Sequence, residues 1–320
     1  MRTEKLTFCL LAAMLGGCLI PSIHPLYTDE ELIFEEKLVG KWSDGNDIWE
    51  FKKGEGKAYK MRVFDGKQGR FEAHLVELKG VMFLDIFPDG ETLDDVQDFY
   101  KIHLVPMHTF MKVGQIEPKL QLQALDYEKV SEMLKDDPNL LKHEVVDDQI
   151  ILTAHTKQLQ QFMTKYANVE GVFGDTSELT RREPLYTEED LVFDENLIGV
   201  WEGKDGKILD FVQMGEKAYD IIFIEEKEGT ELQFFANLVK LKGMMFFGVF
   251  SDKSSLEHKD SYGSHLIPDY VVRVDQIQPK LLLRYVTYEE ATKILKEDAK
   301  RLKQETADVE YTFEGIPVQP

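Results

Sequence analysis

The side chains best suited to acid–base chemistry near neutrality are eight histidines, at positions 24, 74, 103, 108, 143, 155, 258 and 265. None pairs with another at a metal-ligand spacing; His103 and His108 lie closest among those that share a segment of strand and turn. His103 and His265 stand apart for another reason. Each opens a His-Leu-Val/Ile-Pro run, so the same residue returns in the same context. They form the candidate polar site, as general base or ligand; the plainer reading is a strand-end histidine bonded to backbone. Asp44-Gly-Asn-Asp47 starts like a calcium loop but lacks the twelve-residue ligand series, and reads as a hairpin turn. Asp94, Asp95 and Asp98 make an acidic, solvated loop. There is no nucleophile elbow, phosphate-cradling loop, dinucleotide fingerprint or HExxH helix. The catalytic residues therefore stay unassigned, and neither a cofactor nor a metal is expected.

The elements that must carry these residues come in two copies. Pro25-Leu-Tyr-Thr-Asp-Glu-Glu-Leu-Ile-Phe34 returns as Pro184-Leu-Tyr-Thr-Glu-Glu-Asp-Leu-Val-Phe193. Leu38-Val-Gly-Lys-Trp42 returns as Leu197-Ile-Gly-Val-Trp201, and Gln115-Ile-Glu-Pro-Lys-Leu120 as Gln276-Ile-Gln-Pro-Lys-Leu281. Order is kept and the offset drifts only from 159 to 163, which identifies a tandem duplication of a domain rather than a solenoid. The expected division is a signal segment over 1–17, a first domain over 18–169, a linker over 170–183 rich in turn residues, and a second domain over 184–320.

Within each copy, alternation predicts antiparallel strands: Phe71, Ala73 and Leu75 alternate with Glu72 and His74, and Phe234, Ala236 and Leu238 follow suit. Gly80 and Gly243 mark turns before Val81–Phe87 and Met244–Phe250, which are apolar on both faces. Further strands are expected near Tyr100–Val105 and Leu120–Leu125, with a last one at Ile150–Leu152. A late amphipathic helix follows from Tyr127, Val130, Met133 and Leu134, and from Tyr288, Ala291, Ile294 and Leu295. A second helix over Lys157–Ala167 has no counterpart in copy two. The fold class is mainly β, a duplicated barrel-like antiparallel sheet with a late helix, the alternative being α+β.

The N-terminus carries Arg2 and Lys5, then some ten mostly apolar residues, too few for a span of about twenty. It ends in Leu15-Gly16-Gly17-Cys18, which resembles the lipobox of bacterial lipoproteins. The resemblance implies lipidation of Cys18 and a membrane anchor; Leu19 in place of Asp implies the outer membrane of a two-membrane bacterium, facing periplasm or surface. Gly40-x-Trp42 and Gly199-x-Trp201, each opening a first strand, resemble the Gly-x-Trp start of the calycins (lipocalins and relatives). That implies a β-barrel whose end is closed by Trp42 or Trp201. Lipocalins lay an Arg of the last strand across this Trp, and Ile150–Thr153 offers none.

A net charge of −21 argues against nucleic acid, and both cysteines, Cys9 and Cys18, lie in the first eighteen residues, which excludes a disulfide framework. Twenty Phe, twelve Tyr and three Trp, many on the strands, suit a lined interior. The expected function is a non-enzymatic binding or envelope-assembly module, its partner an apolar small molecule or envelope protein; the alternative is a hydrolase or isomerase with dispersed active-site residues. The two-sided strands Val81–Phe87 and Met244–Phe250 suggest that the copies pack on each other, unless each late helix covers its own strand.

Overall fold

A computed structural model describes residues 19–45, 47–64, 68–90, 104–203, 206–225, 229–251, 265–296 and 310–315. Contacts divide the chain into two units, residues 1–182 and 183–320. The first contains strands Gly40–Ser43 (β1), Ile48–Lys53 (β2), Ala58–Phe64 (β3), Gln68–Leu78 (β4), Val81–Pro88 (β5), Thr109–Gln115 (β6), Lys119–Ala124 (β7) and Ser177–Arg181 (β8). Each pairs antiparallel with the next, and β8 pairs with β1, so eight strands close as an up-and-down barrel. The second unit repeats the path with Gly199–Gly203 (β9), Lys207–Met214 (β10), Ala218–Glu225 (β11), Thr230–Leu241 (β12), Met244–Phe250 (β13), Tyr270–Gln276 (β14), Lys280–Val286 (β15) and Glu310–Gly315 (β16). There, β16 pairs with β9. The protein is mainly β: two closed eight-stranded barrels in tandem.

The repeated sequence motifs build the base of each barrel, the end where β1 and β9 begin. Gly40 and Gly199 take φ of 148° and 116°, a region other residues avoid, and swing the chain from a short 3-10 turn into the strand. This places Trp42 and Trp201 inside, each donating its indole N–H to a carbonyl of that turn, Leu38 at 2.9 Å and Leu197 at 2.8 Å. Tyr59 and Tyr219 do the same work from β3 and β11, bonding the backbone of Glu35 and Asp194 and stacking on Phe34 and Phe193. The hairpins β4–β5 and β12–β13 turn on Lys79-Gly80 and Lys242-Gly243, all four at positive φ, as a two-residue turn matched to strand twist requires.

Three expectations are corrected. Residues 170–183 are not a linker throughout: Ser177–Arg181 is the strand that closes the first barrel, and the unit runs to Arg182 rather than 169. Ile150–Leu152 is not the last barrel strand; it forms an outlying hairpin with His143–Val146. Its polar-looking replacement, β8, carries the Arg that seemed missing. Arg181 lies over the Trp42 ring, 4.6 Å from its centroid, and donates to the carbonyls of Val39 and Lys37.

Between β7 and β8 the first unit inserts helix Tyr127–Asp136 (α1), the hairpin, and helix Thr156–Tyr166 (α2). Asp126 caps α1, accepting from the Lys129 N–H at 2.7 Å. These elements and residues 20–26 cover the outer faces of β4–β6, burying Val76, Phe83 and Phe110. In the second unit Tyr186 and helix Tyr288–Lys296 (α3) cover Val239 and Phe246. Within each unit, then, outer-face residues of these strands are buried.

Candidate functional site

The interiors of the two barrels differ in the residues that face one another across the strands. Register places Trp49 of β2 where β10 has Leu209: Trp49 opposes Trp42 and Val63, Leu209 opposes Trp201 and Phe223. Trp49 is buried, as are Met111, Leu122 and Leu179 around it. The second barrel has a cavity of about 260 Å³. Its wall is Leu209, Phe223, Val272, Leu283 and Phe313. Tyr285 and Tyr311, 37% and 38% exposed, form its rim at the end away from Trp201. Among the described residues that line it the one charged side chain is Lys207, which stands 4.0 Å from Glu225 and above the Tyr311 ring. A concave apolar wall with polar groups confined to the rim can hold an apolar molecule.

Of the residues singled out from sequence, Cys18 and His103 lie outside the described residues. His265 belongs to a two-residue strand whose backbone pairs with Thr187. Trp42 and Trp201 lie in the barrel interiors as described above. Among the described residues no group of three or more His, Cys, Asp or Glu side chains is placed to hold a metal.

Sequence reasoning missed a buried polar cluster on the outside of the first barrel. Asp85 of β5, 1% exposed, accepts from the Leu26 N–H at 2.7 Å with one oxygen and holds His108 Nδ1 at 2.7 Å with the other. A carboxylate carries no hydrogen, so both partners donate. His74 is the cross-strand neighbour of Asp85, and the Tyr27 ring lies 4.4 Å from it. Burial, ahead of the nearby Glu72 and Asp85, pushes the His74 pKa down; burial, then Asp85, pushes Tyr27 up to about 12.

The second unit keeps the tyrosine of this cluster, Tyr186 matching Tyr27, but replaces the polar pair on the strands. Register puts Asn237 at the place of His74 and Gly248 at that of Asp85. There the Tyr186 hydroxyl sits 1.9 Å from where a Gly248 Cβ would be, so ring and glycine fit only together. Tyr186 Oη and Asn237 Oδ1 have no hydrogen-bond partner among the described residues, and burial raises the Tyr186 pKa well above its usual value. The signal was present in the self-comparison, as positions where otherwise matching strands diverge.

Fold and cavity define a class: tandem closed up-and-down barrels, the second with an apolar cavity. No protein-family model matches the chain, and none of the curated proteins matches it.

Proposed function

We propose that this protein is a lipid-anchored envelope protein that binds a small apolar molecule in its second barrel, with the first barrel as packed scaffold. The observation that carries the binding reading is the cavity walled by Leu209, Phe223 and Leu283. At about 260 Å³ it sits just under the usual range of small-ligand pockets, roughly 300–1,000 Å³. The calycin resemblance is supported in the first unit by Arg181 over Trp42, and the anchor by Leu15-Gly16-Gly17-Cys18 alone. Asp85 and His108 serve as backbone acceptor and its partner, which favours binding over hydrolysis or isomerisation.

Two measurements test the reading. Solvent extraction and mass spectrometry of the purified chain, with titration by the apolar dye N-phenyl-1-naphthylamine, should find an extracted molecule or about one dye site per chain. Neither being found overturns the binding reading. Cys18→Ser should release the protein from the membrane fraction; unchanged fractionation overturns the anchor.

A further inference from the structure

The outlying hairpin of the first unit is paired on one side only. Asp147 and Asp148, at φ of 47° and 62°, form the two-residue turn that joins His143–Val146 to Gln149–Leu152. Leu152 donates to the Pro21 carbonyl at 2.8 Å and accepts from the Ile23 N–H at 3.0 Å, which seats Gln149–Leu152 against the N-terminal segment. Those bonds fix which way the other strand faces. Leu152 turns its N–H and C=O away from His143, its cross-strand neighbour, so in an antiparallel ladder His143 turns its own outward too. Val145, two residues on, does the same, while Glu144 and Val146 bond inward. The outward groups of His143 and Val145 have no backbone partner among the described residues.

Beside this edge runs a groove of about 340 Å³. Its floor is Leu134 and Ile150, both buried; one wall is Tyr127, Ser131 and Lys135 along α1, and the other is His143 and Val145. The Tyr127 hydroxyl bonds the Asp148 carbonyl and fastens the hairpin tip to the helix. Val145 and Val146, on opposite faces of the strand, are 58% and 52% exposed, where a sheet edge left in water is ordinarily blunted by lysine or proline. Charge narrows the choice of partner. Residues 126–148 hold eight carboxylates against three lysines, and Asp136, Asp137, Glu144, Asp147 and Asp148 are all exposed. One of the lysines, Lys129, already pairs with Glu132 at 2.7 Å. Two copies of this edge would bring like charges together, which disfavours a second copy as the occupant.

We propose that His143–Val146 is a docking edge for an extended peptide of another protein, one that carries an apolar residue flanked by lysine or arginine. The peptide adds as a third strand to the hairpin and takes the outward N–H and C=O of His143 and Val145. Its residue opposite Val145 points to the same side as Val145 and enters the groove, which suits an apolar side chain over Leu134 and Ile150. Its residue opposite Glu144 takes the other face, where a basic side chain meets that carboxylate. The edge is four residues long, so the partner segment is short. This surface belongs to the first unit and stands apart from the cavity of the second barrel.

Panning a random peptide library on the full chain in detergent supplies the probe, with Val145→Pro as the comparison target. Proline there removes an N–H that the hairpin does not use, so the hairpin stays and the docking goes. Enriched peptides should carry an apolar residue between lysines or arginines. Asp147→Asn with Asp148→Asn, which suit the same turn, should weaken them by about threefold or more at low salt. Hydrogen exchange of the full chain saturated with an enriched peptide should slow the amides of His143 and Val145 by roughly tenfold or more, and leave those of Glu144 and Val146 unchanged. A library that yields no peptide sensitive to Val145→Pro overturns the proposal, as does protection without that alternation. Protection of the same two amides that grows with protein concentration alone assigns the edge to a second copy and overturns it as well. Should Val145→Pro fail to fold, the alternation in the wild-type chain decides alone.

Discussion

Truncating Arg181 should loosen the first barrel and leave the second untouched. The guanidinium lies 4.6 Å from the centroid of the Trp42 ring, a half-exposed cation–π contact contributing about 1 kcal/mol. It donates to the Val39 carbonyl at 3.0 Å, a charged-donor bond contributing about 1.5 kcal/mol. The bond to Lys37 is exposed and adds little. Against these, Nε is buried without a partner among the described residues, a cost of about 1 kcal/mol that truncation returns. Stem packing on Trp42 brings the net to about 2 kcal/mol. For a unit of this size that is a fall of roughly 4–8 °C in its melting temperature. Calorimetry of Arg181→Ala should show it, with tryptophan emission assigning the transition, since Trp42 and Trp49 belong to the first unit and Trp201 to the second. Arg181→Lys should recover less than half, because an ammonium lacks the planar fork. In the second barrel Gly315 pairs with Trp201 as Arg181 pairs with Trp42, so that transition should stay put. A shift under about 1 °C, or equal shifts in both units, would refute the reasoning.

Leu209→Trp should occupy the second barrel's cavity, abolish dye binding and raise that unit's stability by about 1 kcal/mol; dye titration and melting check both. Gly248→Asp should destabilise the second unit by about 3 kcal/mol or more in a thermal melt, because its Cβ would meet Tyr186 Oη at 1.9 Å, and Tyr186→Ala should recover part of the loss. The depressed pKa of His74 means that below the ordinary histidine value of 6.5 the unfolded chain binds a proton the folded one resists. First-unit stability should therefore fall as pH drops through and below that value, and denaturant titrations of His74→Asn, the second unit's residue, should show a weaker fall.

The duplication, the meander and the glycine turns were legible because each leaves a local mark: a repeated motif, a period of two, a Lys-Gly pair. The closing strand β8 was not. In Ser-Glu-Leu-Thr-Arg the one apolar residue is Leu179, and α1, the hairpin and α2 separate the strand from β7, so it reads as polar connection. Misplacing that strand also hid Arg181, which was sought on Ile150–Thr153. The cavity was illegible for a different reason. Trp49 and Leu209 are both ordinary interior residues, and the repeat alone does not say which residues of distant strands surround them. Asp85 and His108 gave no spacing signal because the contact joins β5 to the approach of β6 and a segment near the N-terminus.

The late arrival of β8 has a bearing on how the chain must be made. Arg181 bonds Val39, 142 residues earlier, and β1 has no partner on that side until β8 exists. A chain emerging N-terminus first therefore carries seven strands of an unfinished cylinder, with β1 and β7 as open edges, while about fifty further residues are synthesised. Such edges invite pairing with other chains, and closure over so long a loop is slow. A product ending near residue 169 would stay in that open state, sticky and uncapped, however well its other strands were formed.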